Sequence, residues 1–260
     1  MLIYLLLFAT GLFSGFLAGL FGIGGGVILV PVFWYLFSFY GIPDSEAFKL
    51  SIATSLAVIA VTTFVTSGFH LLKGNLERKD VLNLLVYIIS GVAVGALVSH
   101  FLPGSALKKT FSVFLFLVAL RMITGRKSLF ELKGSNFLVP TAVFLSAVSS
   151  TLFGIGGGVV VNSLLFSFSE MRASEVVALA SGVSFLNALF GTLIYALIPA
   201  ETFVNWQLGY VYLPAAFLVS VGALLGSRAG LLILRRVSHS NLKRAFGILL
   251  IFLSLKILFS

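Results

Sequence analysis

Cysteine is absent from this chain of 260 residues, and charge is scarce, with 10% of residues charged and only eight of them acidic. Without thiols there is no disulfide, no thiolate metal site and no cysteine nucleophile. The carboxylates Asp44, Glu46, Glu77, Asp80, Glu131, Glu170, Glu175 and Glu201 all fall in loops or at the ends of apolar runs. Cation carriers and proton pumps place acidic groups along their path, so this arrangement disfavours both. Also missing are a nucleotide-binding phosphate loop, an H-E-x-x-H helix and a Ser/His/Asp set with an acid inside an apolar run. No enzyme chemistry, cofactor or metal is expected from such an inventory.

What the chain has is apolar surface: 59% hydrophobic residues, 27 phenylalanines and a mean hydropathy of +1.14. One soluble core of this size cannot bury that much, so the chain belongs in a bilayer. Apolar runs cover 2–40, 48–72, 81–102, 106–120, 137–168, 176–199, 208–234 and 242–259. The first has no basic leader and no small-residue cleavage site, and is expected to remain as a membrane helix. The net charge of +9 sits in short loops; it reads as membrane orientation rather than as affinity for nucleic acid.

The string F-G-I-G-G-G occurs at 21–26 and again at 153–158. Further matches follow in order: A-T-S at Ala53 with A-S-G at Ala180, V-G-A-L at Val94 and Val221, and L-K-K-T-F at Leu107 with L-K-R-A-F at Leu242. The chain is therefore read as a single transmembrane domain, 1–260, made of repeat 1 (1–124), a cytoplasmic linker (125–135) and repeat 2 (136–260). Lys and Arg decide how each glycine-broken region crosses. If 2–40 and 137–168 cross once, the basic residues outside Arg228 divide eight against eight. If each is a hairpin bent at its glycines, twelve fall on one side and only Lys49, Lys108, Lys109 and Lys256 on the other. The second division obeys the positive-inside rule. Five segments per half is an odd number, so the expected fold is an all-α polytopic membrane protein of two inverted repeats. Eight helices would be full, joined by short or re-entrant glycine-broken arms, with both termini outside the cytoplasm. Backbone broken at membrane depth must be enclosed by protein or a water-filled cavity, so the two bends should face each other.

The glycines precede apolar runs, leaving unpaired amides at a helix N-terminus, where anions bind. Lack of a Cβ at Gly24, Gly25, Gly26, Gly156, Gly157 and Gly158 lets an oxyanion approach the backbone closely. Neutral donors that could complete a cage are Thr54, Ser55, Ser181 and Asn187, with Asn162 one turn past the second motif. The competing reading is that the glycines pack helices and the hydroxyls bond their own helix. His70 and His100 sit near segment ends and are read as solvated interface groups. Arg228 is read as snorkelling to the interface.

The two G-x-G-G-G motifs, each followed by an apolar arm and an A-T-S-like segment, with G-A-L-x-G and a closing L-K-R-x-F helix, resemble the TauE/SafE sulfite exporter family. The resemblance covers essentially the whole chain. It implies a multi-pass permease of the cell membrane that exports sulfite, sulfoacetate, thiosulfate or a similar small anion, with Gly22, Gly24, Gly25, Gly26 and Thr54 and their counterparts Gly154, Gly156, Gly157, Gly158 and Ser181 near the substrate. The expected mechanism is alternating access around a midplane site; an anion channel and a membrane-embedded protein without transport activity are the alternatives. Substrate, bilayer and a homo-oligomeric partner are the candidate contacts of the surface.

Overall fold

The computed structural model describes residues 2–21, 25–124, 137–168, 171–200, 205–234 and 239–259. The expected linker 125–135, with Gly22 and Gly24, lies outside the described residues. Each apolar run becomes helix over most of its length: α1 (Leu2–Phe21), α2 (Gly26–Phe39), α3 (Asp44–Leu72), α4 (Arg78–Leu82), α5 (Leu85–Phe101), α6 (Gly104–Thr124), α7 (Leu138–Phe153), α8 (Gly158–Phe168), α9 (Ala173–Leu197), α10 (Leu213–Leu234) and α11 (His239–Leu258). With Phe13, Phe39, Leu72, Phe101, Leu197, Phe217 and Phe252 exposed on the outside, such a surface is stable only against lipid. The chain is an all-α polytopic membrane protein.

Both glycine motifs break the chain. α2 has 14 residues and α8 has 11, about 21 and 16 Å at 1.5 Å per residue, against about 30 Å of hydrocarbon. They are the short arms expected, and α2 is enclosed by protein, with Val27, Ile28, Leu29, Val30, Phe33 and Phe37 buried. α3, at 29 residues, crosses with length to spare. The sequence places 208–212 inside a membrane run, whereas the structure folds Gln207–Leu208 (β1) and Val211–Tyr212 (β2) into a two-stranded antiparallel pair. Gly209 makes the turn, with φ +52°, pressed against the Tyr195 and Ala196 backbone. A helix cannot continue through that left-handed corner.

Helix pairing is organised by small residues. α1 runs against α10: a Cβ on Gly11 would stand 2.5 Å from the Val219 carbonyl and one on Gly222 would stand 2.5 Å from the Phe8 carbonyl, while Gly15 and Gly226 press on the Ala223 and Leu12 backbones. On α5, Gly91 and Gly95 approach Phe144, Ala147 and Val148 of α7 in the same way. In lipid, where apolar contact alone gives no preference, close backbone approach of this kind holds helices together. The remaining main pairs are α3 with α9 and α6 with α11.

Side-chain contacts place distant loops at common ends. Arg172 and Glu175 share one polar pocket with Glu77 and Asp80, and Arg121 Nη2 donates to the Ser163 carbonyl at 2.9 Å. At the other end, Lys108 Nζ lies 2.7 Å from Asp44, whose other oxygen accepts from Trp34 Nε1 at 2.6 Å, and Lys256 Nζ stands 4.6 Å over the Tyr35 ring. The Phe37 ring meets that of Tyr212 edge-on, centroids 5.8 Å apart, so α2 finishes at the end where α10 begins. These are the hairpin neighbours, incompatible with a single crossing of each broken region. In detergent, Gly15→Leu is expected to cost about 3 kcal/mol, the upper part of the overpacking range. Gly68→Leu, where a Cβ meets nothing within 4 Å, should leave the thermal midpoint unchanged.

Candidate functional site

The two helix breaks meet. A Cβ on Gly26 would lie 2.7 Å from Ile155 Cα and 2.8 Å from the Gly154 carbonyl, and Ser55 Oγ donates to that same carbonyl at 2.8 Å. Gly154, Gly156 and Gly157 have φ of +69°, +75° and +79°, a left-handed run that other residues enter only with strain. Gly25 differs: its φ is −71°, and a Cβ there would find only ordinary contacts from 3.6 Å outward. The first break is therefore not a copy of the second in its described part.

From the meeting point a cavity of about 470 Å³ extends along the second half of α3, the first half of α9, the last turns of α1 and the middle of α10. Gly25 and Gly158 form its inner wall, so the N-termini of α2 and α8 open onto it with their first amides lacking intrahelical partners. Asn162, Ser181, Ser184, Thr62 and Thr66 add neutral polar groups. Oδ1 of Asn162 is buried without a partner. Neither a carboxylate nor a Lys or Arg is part of the described lining. Towards the Lys49 and Lys108 end the core is filled: Val30, Phe33, Phe37, Ile52 and Leu56 are at most 3% exposed. The cavity consequently reaches the end of α3 that carries Lys73, and stops at the breaks.

Of the residues singled out in the sequence, Gly25, Gly158, Asn162 and Ser181 are brought together in this wall. Thr54 and Ser55 are fully buried on the filled side, and Thr54 Oγ1 accepts the Tyr212 amide at 3.1 Å. Asn187 is also fully buried, behind the start of α8. Its amide donates to Ser146 Oγ at 3.1 Å, its Oδ1 has no partner, and a Cβ on Gly157 would be 2.6 Å from its nitrogen. Gly26, Gly154, Gly156 and Gly157 shape the breaks without appearing in the cavity lining. Sequence reading missed the stripe Ile59, Thr62, Thr63 and Thr66 that leads to His70, whose helical spacing was a signal once the buried face of α3 was known. His70, read as a solvated interface group, is partly buried in the last turn of α3, where it lines the cavity with its Nδ1 buried without a partner. Arg228 is exposed, as a snorkelling side chain should be.

The profile of the sulfite exporter TauE/SafE family matches residues 7–257. The chain belongs to this family. Family members are membrane transporters, and the curated relatives agree. A probable membrane transporter protein of Methanocaldococcus jannaschii is 29% identical, covering 92% of this chain and 89% of its own length. One from Haemophilus influenzae is 27% identical with 95% of each chain covered, and another from Bacillus subtilis is 23% identical over 98% and 97%. No solved structure matches the chain.

Because the native chain has no thiols, single cysteines report the cavity cleanly. Thr66→Cys and Ser181→Cys are expected to react readily with a small hydrophilic thiol reagent. Ser55→Cys and Asn187→Cys, at positions 0% exposed, should react an order of magnitude or more slowly, through local opening only. Equal rates at all four would remove the cavity boundary.

Proposed function

We propose that the chain is a secondary transporter that exports sulfite or a related small sulfur-containing anion by alternating access, binding it between the two helix breaks. The observation that carries this reading is a cavity with both short-arm N-termini in its wall and no acidic side chain in its described lining. Helix N-termini and neutral hydroxyl or amide donors stabilise a desolvated oxyanion, whereas a carboxylate would repel it. The volume of about 470 Å³, roughly sixteen waters at about 30 Å³ each, accommodates the anion with part of its hydration shell or an organic substituent. Export of an anion from a negative-inside cell is favoured by about 2.3 kcal/mol per charge per 100 mV.

The helix pairs support the inverted repeat. Exchange of the halves relates α1 to α7, α3 to α9, α5 to α10 and α6 to α11. Under that exchange the α1–α10 pair becomes α7–α5, and the α3–α9 and α6–α11 pairs map onto themselves. The end that holds 73–80 and 171–175 is taken as cytoplasmic, because the hairpin division of the sequence gives that side twelve of the sixteen Lys and Arg residues other than Arg228. On this assignment the cavity faces inward, and its closure at the breaks favours a carrier over a continuous channel. Thr54 and Ser181 are counterparts in unlike surroundings, one packed and one lining the cavity. Rocking of the halves would exchange those surroundings.

Proteoliposomes containing the purified protein should take up labelled sulfite or sulfoacetate saturably and in a voltage-dependent way, and labelled substrate should accumulate transiently against unlabelled substrate preloaded inside. Gly157→Val, which forces a branched side chain into a left-handed position against Asn187, should abolish flux. Linear flux without counterflow would indicate a channel; no flux of any sulfur oxyanion would overturn the assignment of substrate.

A further inference from the structure

His70 is the single titratable side chain in the described lining of the cavity. It lies on the α3 stripe one turn from Thr66, within the last turn of the helix, and its Nδ1 is buried with no hydrogen-bond partner. An interior polar nitrogen without a partner is costly to keep unless something binds there during function. Asparagine and hydroxyl donors can orient an oxyanion, but none of them supplies a full positive charge. We infer that His70 is the proton-binding site of the transporter, taking up a proton together with the anion so that imidazolium and oxyanion occupy the cavity as a pair. This inference rests on the transport reading above and adds the coupling ion to it.

Other charges at this end do not substitute for the imidazole. On α3 itself the neighbour is Lys73, one turn on, whose charge opposes that of a protonated His70. On and beside α4, Glu77 pairs with Lys79 at 2.7 Å, with Arg78 and Asp80 in the same exposed segment. At the start of α9, Arg172 pairs with Glu175 at 2.6 Å. Arg121 of α6 is exposed and held by the Ser163 carbonyl, and Arg228 of α10 is exposed. α1, α2, α7 and α8 contain no charged residue. A proton arriving from the Lys73 end therefore meets His70 before any other titratable group inside the cavity. Linkage then requires reciprocity: bound anion raises proton affinity at His70, and bound proton raises anion affinity by the same factor. Loss of the proton at the opposite face would weaken the anion's hold and aid release.

The test uses labelled sulfoacetate, whose charge is constant between about pH 5.5 and 8.5, across the ordinary histidine range. With equal pH on both sides and the potential clamped, KM for wild-type flux is expected to rise about tenfold or more over that interval, up to tenfold per pH unit being the limit for one proton. His70→Gln should hold KM flat while remaining folded, as judged by its thermal midpoint. Stabilisation of the detergent-solubilised protein by sulfoacetate gives a second reading that needs no transport. Wild-type protein stabilised more strongly at low pH, with that dependence lost in His70→Gln, supports the proton site even if no flux is seen, in which case the transport reading alone fails. A wild-type KM and stabilisation indifferent to pH, or a pH dependence that survives in His70→Gln, overturns the inference.

Discussion

A lipid interior offers no water to backbone amides and carbonyls, and this constraint governs the whole structure. The chain breaks two helices at membrane depth, which exposes polar backbone where its unsatisfied groups cost several kcal/mol each. It resolves the problem by burying each break against the other. Gly26 lies on the Gly154 and Ile155 backbone, and Ser55 from α3 donates to the Gly154 carbonyl. The amides at the starts of α2 and α8 are left to a cavity rather than to lipid. What would be a defect in a soluble core becomes a polar site enclosed by an apolar bundle.

The frame around the breaks follows from the same economy. Glycines spaced four apart on α1, α10 and α5 bring backbones into contact, because dispersion and weak C–H contacts hold helices together where the hydrophobic effect no longer does. At one end a buried ammonium, Lys108, is held by Asp44 and stands 4.7 Å over the Trp34 ring, joining α2, α3 and α6. A buried charge is tolerable there because it is paired and faces a ring. That end is filled and the opposite end carries the cavity, an asymmetry imposed on two halves of related sequence.

Most of the frame was legible in the sequence. Hydropathy located every long helix, the repeated F-G-I-G-G-G located both breaks, and the distribution of Lys and Arg chose the hairpin that the Arg172, Glu77 and Lys256 contacts bear out. The strand pair at 207–212 was not legible, since Leu208, Tyr210, Val211 and Tyr212 are as apolar as a helix and the turn is dictated by tertiary contact at Gly209. Within the site, sequence matching found Ser181 and its counterpart Thr54 but could not tell which lines the cavity. The strings A-T-S at Ala53 and A-S-G at Ala180 make the two positions look alike in sequence, and only the fold separates them. His70 was passed over because position along a helix does not show which way a side chain near the interface turns.

On the proposed function, an oxyanion rests at the junction of the two broken helices. That placement is tested most directly by crystals grown with selenite, a selenium analogue of sulfite, and an anomalous difference map at the selenium edge. A peak is expected within hydrogen-bond reach of the α2 and α8 N-termini, beside Gly25, Gly158 and Asn162. A peak confined to the basic loops, or an empty cavity at saturating selenite, would contradict it.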